Sequence, residues 1–253
     1  MLGLPDGVTA LLFDMDGVLT RTATVHAAAW KEMFDEFLRE REGPSYRPFD
    51  PVKEYDEYVD GKRREDGTRS FLESRGITLP EGSPHDPPGA PTIQGLGKRK
   101  NDLVLRRLAE DGVEVYPGSV RYVQAAREAG LPTAVVSSSA NTAQVLDAAG
   151  IGGLFDARVD GLTAQERGLA GKPAPDMFLA GAEALGVPPS QAVVFEDALA
   201  GVQAGRAGGF GFVVGVDRIG QAAELTAHGA DRVVKDLEEL LGGDGARDGR
   251  EGA

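Results

Sequence analysis

Two aspartates spaced one residue apart, Asp14 and Asp16, close an apolar run and are followed at once by Gly17. Carboxylates at that spacing suit phosphoryl chemistry. One could attack phosphorus while the other handles a proton, and together they could hold Mg²⁺, which prefers hard oxygen ligands. The run that delivers them, Ala10 to Phe13, reads as a buried strand, and in open α/β sheets the C-terminal strand ends are where ligands bind. Side chains at positions 14 and 16 of a continuing strand would point to opposite faces. The chain must therefore turn between them if both serve one site, and Gly17 allows the turn. A strand that merely ends in an acidic turn would carry the same residues, so the reading depends on what other segments bring to that edge.

Three other segments carry suitable groups. Ser137-Ser138-Ser139-Ala140-Asn141 follows the apolar pair Val135-Val136 and sits at the mouth of a helix. There the backbone N–H groups and the helix dipole favour an anion, although serine and asparagine are also ordinary helix caps. Gly171-Lys172-Pro173-Ala174-Pro175-Asp176 places Lys172 on a loop stiffened by two prolines, where an ammonium could neutralise a phosphate and an attacking carboxylate. Phe195-Glu196-Asp197-Ala198 ends an apolar run in paired acids, which suit a Mg²⁺ ligand and a nearby partner, or simply the start of a helix.

The elements that must position these groups form an alternating series. Strands are predicted at Ala10–Phe13, Thr133–Val136, Phe155–Val159, Val193–Phe195, Phe212–Val216 and Arg232–Val234. Helices are predicted at Asn141–Ala149, Pro175–Leu185, Ala198–Ala207, Gln221–Ala227 and Leu237–Leu241. Near-continuous β-branched runs between helices signal an α/β fold, a Rossmann-like parallel sheet covered by helices on both faces. Residues 22–114 break the rhythm. Trp30, Met33, Phe34, Phe37 and Leu38 share one helical face. Further helical segments follow near 50–60, 64–75 and 98–110, and Gly82 to Gly97 reads as a long loop rich in proline and glycine. The sequence thus predicts a core of residues 1–21 and 115–241 with an α-helical cap, 22–114, inserted after the first strand. Hinges are expected at Arg21–Thr24 and Glu114–Tyr116. The glycine-rich tail, 242–253, has almost no apolar content and is expected to be disordered.

Composition narrows the function further. The 253 residues suffice for a full core. A formal net charge of −13 argues against nucleic acid as the main partner. There are no cysteines, which excludes disulfides and thiolate chemistry, and three histidines make a histidine-rich zinc site a poor fit. No segment reaches the roughly 18 apolar residues of a membrane span, and no secretory signal is legible. These features suit a cytoplasmic enzyme with no membrane partner. Nothing in the sequence indicates the oligomeric state.

Strand-acid, strand-hydroxyl, loop-lysine and strand-acid, in that order at one sheet edge, resemble the haloacid-dehalogenase superfamily of aspartyl-phosphate phosphotransferases across about residues 8–241. The helical insertion resembles the cap of that superfamily's first subclass. The resemblance implies Asp14 as nucleophile and Asp16 as general acid and base. Ser137 and Lys172 would hold the transferring phosphoryl group, and Mg²⁺ would sit on Asp14, the Asp16 carbonyl and Asp197, with Glu196 close by. The physics agrees: a carboxylate approaching a phosphate meets repulsion of roughly 4 kcal/mol per charge pair at 4 Å and an effective dielectric of 20, which a divalent cation and Lys172 would offset.

A finer resemblance lies in the cap. Thr24 to Lys31, Gly61 to Asp66, Lys98 to Asp102 and Val115 to Gly118 are similar to the β-phosphoglucomutase-like family. That likeness implies a cap histidine linked to proton transfer at His26, an arginine on the non-transferring phosphate at Arg64, and substrate contacts from Lys100, Ser139 and Asn141. The chain departs from the family pattern at Asp60, Gly67 and Ala140, and in the length of the 82–97 loop. The leading expectation is a Mg²⁺-dependent phosphomutase acting on β-glucose 1-phosphate. A sugar-phosphate phosphatase is the alternative. A phosphosugar-binding protein on a decayed site would lack one of Asp14, Asp16, Lys172 or Asp197, and all four are present.

Overall fold

The six expected strands all form, and all pair in parallel. The computed structural model describes residues 2–242 of the chain. Strands β1 (Ala10–Phe13), β2 (Thr133–Val136), β3 (Ala157–Val159), β4 (Ala192–Glu196), β5 (Phe212–Val216) and β6 (Arg232–Val234) lie in the order β3-β2-β1-β4-β5-β6. Phe13 pairs in register with Val135 on one side and Phe195 on the other. The chain builds outward from β1 to β3 and then returns to lay β4 on β1's free side. The topological switch point, where such sheets open a crevice, therefore falls between β1 and β4.

Helices cover both faces: α4 (Pro117–Glu128), α5 (Thr142–Ala148), α6 (Gly161–Arg167), α7 (Asp176–Leu185), α8 (Leu199–Ala207) and α9 (Ala222–His228) follow the helical insertion. One apolar layer gathers Leu11, Phe13, Tyr122 and Phe195, with Phe13 stacked on Phe195 at 4.5 Å and Tyr122 meeting Phe195 edge-on. The other gathers Leu12, Val136, Met177, Phe178 and Val194. Alternate residues of β1 thus feed opposite layers, as a strand buried on both faces requires.

The insertion contains α1 (Ala23–Glu42), a π turn at Tyr55–Val59, α2 (Arg64–Ser74) and α3 (Ile93–Asp111). It has a core of its own, in which Trp30, Met33, Phe34 and Leu38 meet Phe49, Phe71 and Leu103. The Phe34 and Phe71 rings lie 4.1 Å apart. Its two connections run side by side, joined by Arg21 N–H donating to Glu114 O and Tyr116 N–H donating to Leu19 O.

Some elements differ from expectation. The predicted loop ends early, because α3 begins at Ile93, with the Thr92 hydroxyl capping Gly95 N–H. Helices α4 and α6 were not foreseen; Pro117 starts the first and Asp160 caps the second by accepting from Thr163 N–H. The third strand is shorter, and the last predicted helix is a 3₁₀ turn, Leu237–Leu240. From Gly243 onward the predicted tail lies outside the described residues. Among the described residues no helix is long and apolar enough to cross a membrane.

Candidate active site

Strand ends at the switch point set the geometry. Asp14 follows β1, Ser137 follows β2, and Glu196 ends β4 with Asp197 next, so three adjacent strands deliver polar groups to one edge. Lys172 arrives from the loop between α6 and α7 and is completely buried. Its ammonium donates to Asp14 Oδ1 at 2.5 Å, to Glu196 Oε1 at 2.6 Å and to Val136 O at 3.4 Å. Burial alone would lower its pKa. The two carboxylates outweigh that and raise it, so Lys172 is a fixed cation.

The acids respond to burial. Asp14 is pushed up to about 6 by desolvation, with Lys172 partly offsetting it. Glu196 rises to about 7 for the same reasons. Asp197 is held well above the usual carboxylate range by burial and by the charges of Asp60 and Glu196. Carboxylate oxygens of Asp14, Glu196 and Asp197 lie within 4.8 Å of one another. Clustered acids that burial drives towards protonation are the signature of a site completed by a cation, and three hard oxygen donors fit a small divalent one. Two glycines make the room. A Cβ on Gly17, which sits at φ +81°, would fall 1.6 Å from Asp197 Oδ2, and one on Gly201 would fall 1.8 Å from Glu196 Oε1.

Asp16 stands apart from that cluster. Its carboxylate accepts from Thr22 Oγ1, and Ser137 Oγ lies 3.5 Å away. Thr22 is braced by Thr20 Oγ1 at 2.6 Å. Burial raises Asp16, the direction a proton donor needs. His26 approaches from α1, with Nε2 3.6 Å from Asp16 Oδ1 and without a hydrogen-bond partner. Burial and then Lys100 hold His26 well below its normal range, so the ring is neutral. Lys100 Nζ donates to His26 Nδ1 at 2.7 Å, which leaves the ring proton on Nε2, the nitrogen nearer Asp16. Lys100 itself lies over the Trp30 ring and is depressed to about 7 by burial.

A cavity of about 530 Å³ joins these groups to the insertion, lined by Asp14, Asp16 and Asp197 and also by Arg64, Lys98 and Lys100. Ser139 lines it too. Ser137 and Lys172 are buried beneath the floor, where Ser137 Oγ accepts from Ser139 N–H. Asn141 turns aside, and its amide donates to Asn101 Oδ1 of α3 at 3.0 Å. Arg64 lies along Gly97 of α3, where a Cβ would come 3.3 Å from its side chain.

Sequence reasoning passed over Arg218 and Gln221, which brace the site, and noted Asp60 only as a departure from the family pattern. Arg218, between β5 and α9, donates to Gly17 O at 2.7 Å and stacks on Tyr116 at 3.5 Å, tying the acidic turn to the insertion's second connection. Gln221 donates to Asp197 O at 3.0 Å. Asp60 lines the cavity beside Asp14 and Asp197 and is raised to about 8 by burial and the Glu196 carboxylate. A cation or amide two hundred residues from the motif carries no local signal. Thr20 and Thr22, only a few residues beyond Asp16, could have been suspected.

Comparison with known proteins agrees with this geometry. Residues 8–209 match the family model described as haloacid dehalogenase-like hydrolase. A β-phosphoglucomutase of Mycobacterium tuberculosis (strain CDC 1551 / Oshkosh) is 58% identical over 247 residues, covering 95% of this chain and 94% of that protein. The β-phosphoglucomutase of Bacillus subtilis (strain 168) is 31% identical over 91% of each chain. A crystal structure of β-phosphoglucomutase from Clostridium difficile superposes with a TM-score of 0.74 at 25% identity, covering 92% of this chain and 93% of that one. The chain belongs to the haloacid dehalogenase-like hydrolase family, in its β-phosphoglucomutase-like branch, and is a phosphotransferase enzyme.

Proposed function

We propose that the protein interconverts β-glucose 1-phosphate and glucose 6-phosphate through an aspartyl phosphate and a sugar bisphosphate. The observation that carries this reading is one cavity lined both by carboxylates suited to phosphoryl transfer and by insertion cations, Arg64 among them, suited to a second phosphate. The activity named for the 58%-identical mycobacterial relative supports the choice of sugar.

Lys172 occupies Asp14 Oδ1, so Oδ2 is the oxygen that attacks. In one half-reaction a bond forms from Oδ2 to a phosphorus of the sugar bisphosphate while the bond from that phosphorus to the sugar oxygen breaks, and Asp16 supplies the proton that oxygen needs. In the other, the Oδ2–phosphorus bond breaks as a hydroxyl of the sugar monophosphate takes the phosphoryl group and regenerates the bisphosphate, and Asp16 takes the proton from that hydroxyl. Ser137 and Lys172 hold the group in transit, and Arg64 grips the phosphate that stays, a task its planar fork suits. Lys100 and His26 press on Asp16 from the insertion side, Ser139 lines the sugar's approach, and Asn141 ties that wall to Asn101 of α3. Asp14, the Asp16 carbonyl and Asp197, with Glu196 adjacent, would hold Mg²⁺, which when bound supplies charge neutralisation for the phosphoryl oxygens. Residues 22–114 act as a cap that excludes water, since water would otherwise intercept the aspartyl phosphate. The enzyme would act in the cytoplasm.

The test uses purified protein with Mg²⁺, β-glucose 1-phosphate and trace β-glucose 1,6-bisphosphate, following glucose 6-phosphate and free phosphate together. Stoichiometric glucose 6-phosphate with little free phosphate is expected. Free phosphate without glucose 6-phosphate would replace the mutase reading with a phosphatase.

A further inference from the structure

We propose that Asp60 makes closure of the helical insertion conditional on a divalent cation at the Asp14, Glu196 and Asp197 cluster, and so acts as a positioning residue for phosphoryl transfer. The inference rests on the metal-dependent reading above and adds to it a carboxylate from the insertion.

The backbone places Asp60 at the seam. The π turn ends at Val59, Asp60 is extended at ψ 137°, and Gly61 turns the chain at φ +69°. A Cβ on Gly61 would lie 2.9 Å from the Ala198 Cβ, so the insertion rests directly on the residue that follows Asp197. Ser138 Oγ donates to Gly61 O at 2.7 Å and holds that contact. The Asp60 carboxylate thereby enters the cavity beside Asp14 and Asp197, and it accepts from Gly61 N–H at 3.0 Å.

Nearby cations have other neighbours, Arg64 among them, whose guanidinium lies 3.2 Å from Glu65. Lys62 donates to Ser70 Oγ at 3.0 Å, Arg63 reaches Leu169 O at 3.4 Å, Lys100 is on His26, and Lys172 is on Asp14 and Glu196. Among the described residues no cationic side chain hydrogen-bonds to Asp60. The same seam sets a second acid against an acid. Asp56, one of whose buried carboxylate oxygens has no partner, faces Glu224 of α9, with His228 the compensating neighbour.

Closing the insertion therefore brings one more carboxylate to a cluster that is already crowded and poorly solvated, where ionised acids repel one another strongly. A dication reverses the sign of that interaction, because it attracts Asp60 as well as its own ligands. Linkage then makes the effect reciprocal: the cation favours closure, and closure tightens the cation. The insertion would shut only over a site ready to transfer phosphate.

The experiment is small-angle scattering on the full chain, in EDTA and with Mg²⁺ alone, together with calorimetric titration of Mg²⁺. The unmodified protein should contract when Mg²⁺ replaces EDTA. Asp60→Asn, which keeps an acceptor for Gly61 N–H, should already be compact in EDTA and contract little further. Its Mg²⁺ dissociation constant should weaken roughly tenfold, within the usual range of coupling between sites. If Asp60→Asn does not fold, Asp60→Ser carries the same expectation. Equal contraction and equal Mg²⁺ affinity in both proteins, or no contraction in the unmodified one, would overturn the inference, even if the enzyme is an active mutase. The expected Mg²⁺ response in a protein that does not convert β-glucose 1-phosphate would uphold the inference and overturn the substrate assignment alone.

Discussion

Replacing Lys172 with methionine keeps the volume of the side chain and its place over the Phe178 ring, 4.8 Å from the ammonium. What it removes is the positive charge wedged between Asp14 and Glu196 at 2.5 and 2.6 Å, in a position with no solvent access. Breaking a buried ion pair by deleting one partner costs about 3–5 kcal/mol, because the other charge is left uncompensated. At roughly 2–4 °C per kcal/mol for a chain of this size, the metal-free protein should melt about 6–20 °C lower. The rate should suffer as well. Removing one preorganised donor from a developing charge costs about 2.7–4 kcal/mol, or roughly 10²–10³ in kcat.

The destabilisation should also depend on pH, in a direction that can be worked out. Asp14 and Glu196 stand at about 6 and 7 with Lys172 in place, above their ordinary values of 3.8 and 4.5, and would stand higher without it. Groups raised in the folded state stabilise it fully below their unfolded pKa and lose that contribution as pH rises through the folded one. In Lys172→Met both carboxyls can be neutral at about pH 5, leaving chiefly the loss of two hydrogen bonds at roughly 1 kcal/mol each. By about pH 8 the full penalty should return. Circular-dichroism melts in EDTA at both pH values check this, with Mg²⁺ added to recover part of the loss. An unchanged melting temperature at pH 8, or the same deficit at both, would refute the charge argument.

Three further outcomes follow from the same geometry. Arg64→Ala should lower kcat/KM by roughly 10- to 150-fold, the loss of about 1.5–3 kcal/mol of charged hydrogen bonding to a phosphate, and steady-state kinetics would show it. Gly17→Ala forces a Cβ onto the Asp197 carboxylate at a φ of +81°. It should cost about 1–3 kcal/mol in denaturant unfolding and also weaken Mg²⁺ binding by calorimetry. In EDTA the unmodified protein should lose stability between about pH 5 and 7, at up to roughly 1.4 kcal/mol per unit for each proton taken up on folding. Asp14, Asp16, Glu196, Asp197 and Asp60 are all raised, while the lowered His26 opposes them below its ordinary 6.5. Mg²⁺, by holding the cluster ionised, should flatten that slope, as urea titrations at the two pH values would register.

What was legible in the sequence is what the local chain dictates. Ala10–Phe13, Thr133–Val136, Phe212–Val216 and Arg232–Val234 match the predicted strands residue for residue. Parallel strands buried on both faces must be unbroken apolar runs, and turn residues bound them sharply. The helix of Trp30, Met33, Phe34 and Leu38 was legible through its period, and those four residues do form a core. Helix α6 was not, because seven residues are too few for a period to show and its cap, Asp160, also reads as a strand end. In α4 the proline was the missed clue, since Pro117 at the first turn begins a helix as readily as it ends a loop. Among the site residues, acids at strand ends could be placed because the sheet delivers them there. Arg218 and Gln221 could not, since each owes its place to a backbone oxygen far away in the chain.

Charge shows most clearly why residue types alone did not suffice. A net charge of −13 is ill-suited to a doubly phosphorylated ligand, and Lys62, Arg63, Arg64, Arg69, Lys98 and Lys100 look alike in sequence as the remedy. Their pairing separates them. Arg69 is spent on Asp66 at 3.0 Å, one turn back in α2, and on Glu81 at 2.8 Å, which ties the start of the segment between α2 and α3 to α2. Lys98 donates to Asp86 O at 2.7 Å, inside that loop. Among the described residues the Arg64 guanidinium has only the neighbouring Glu65, at 3.2 and 3.3 Å. A guanidinium so loosely held keeps donors available for an incoming anion, whereas one gripped from both sides would first have to break its own ion pairs. In the proposed mechanism the phosphate-binding role is therefore given to Arg64 rather than to Arg69 because of the partners each has already found, and those partners are fixed only once α2, α3 and the loop between them have folded together.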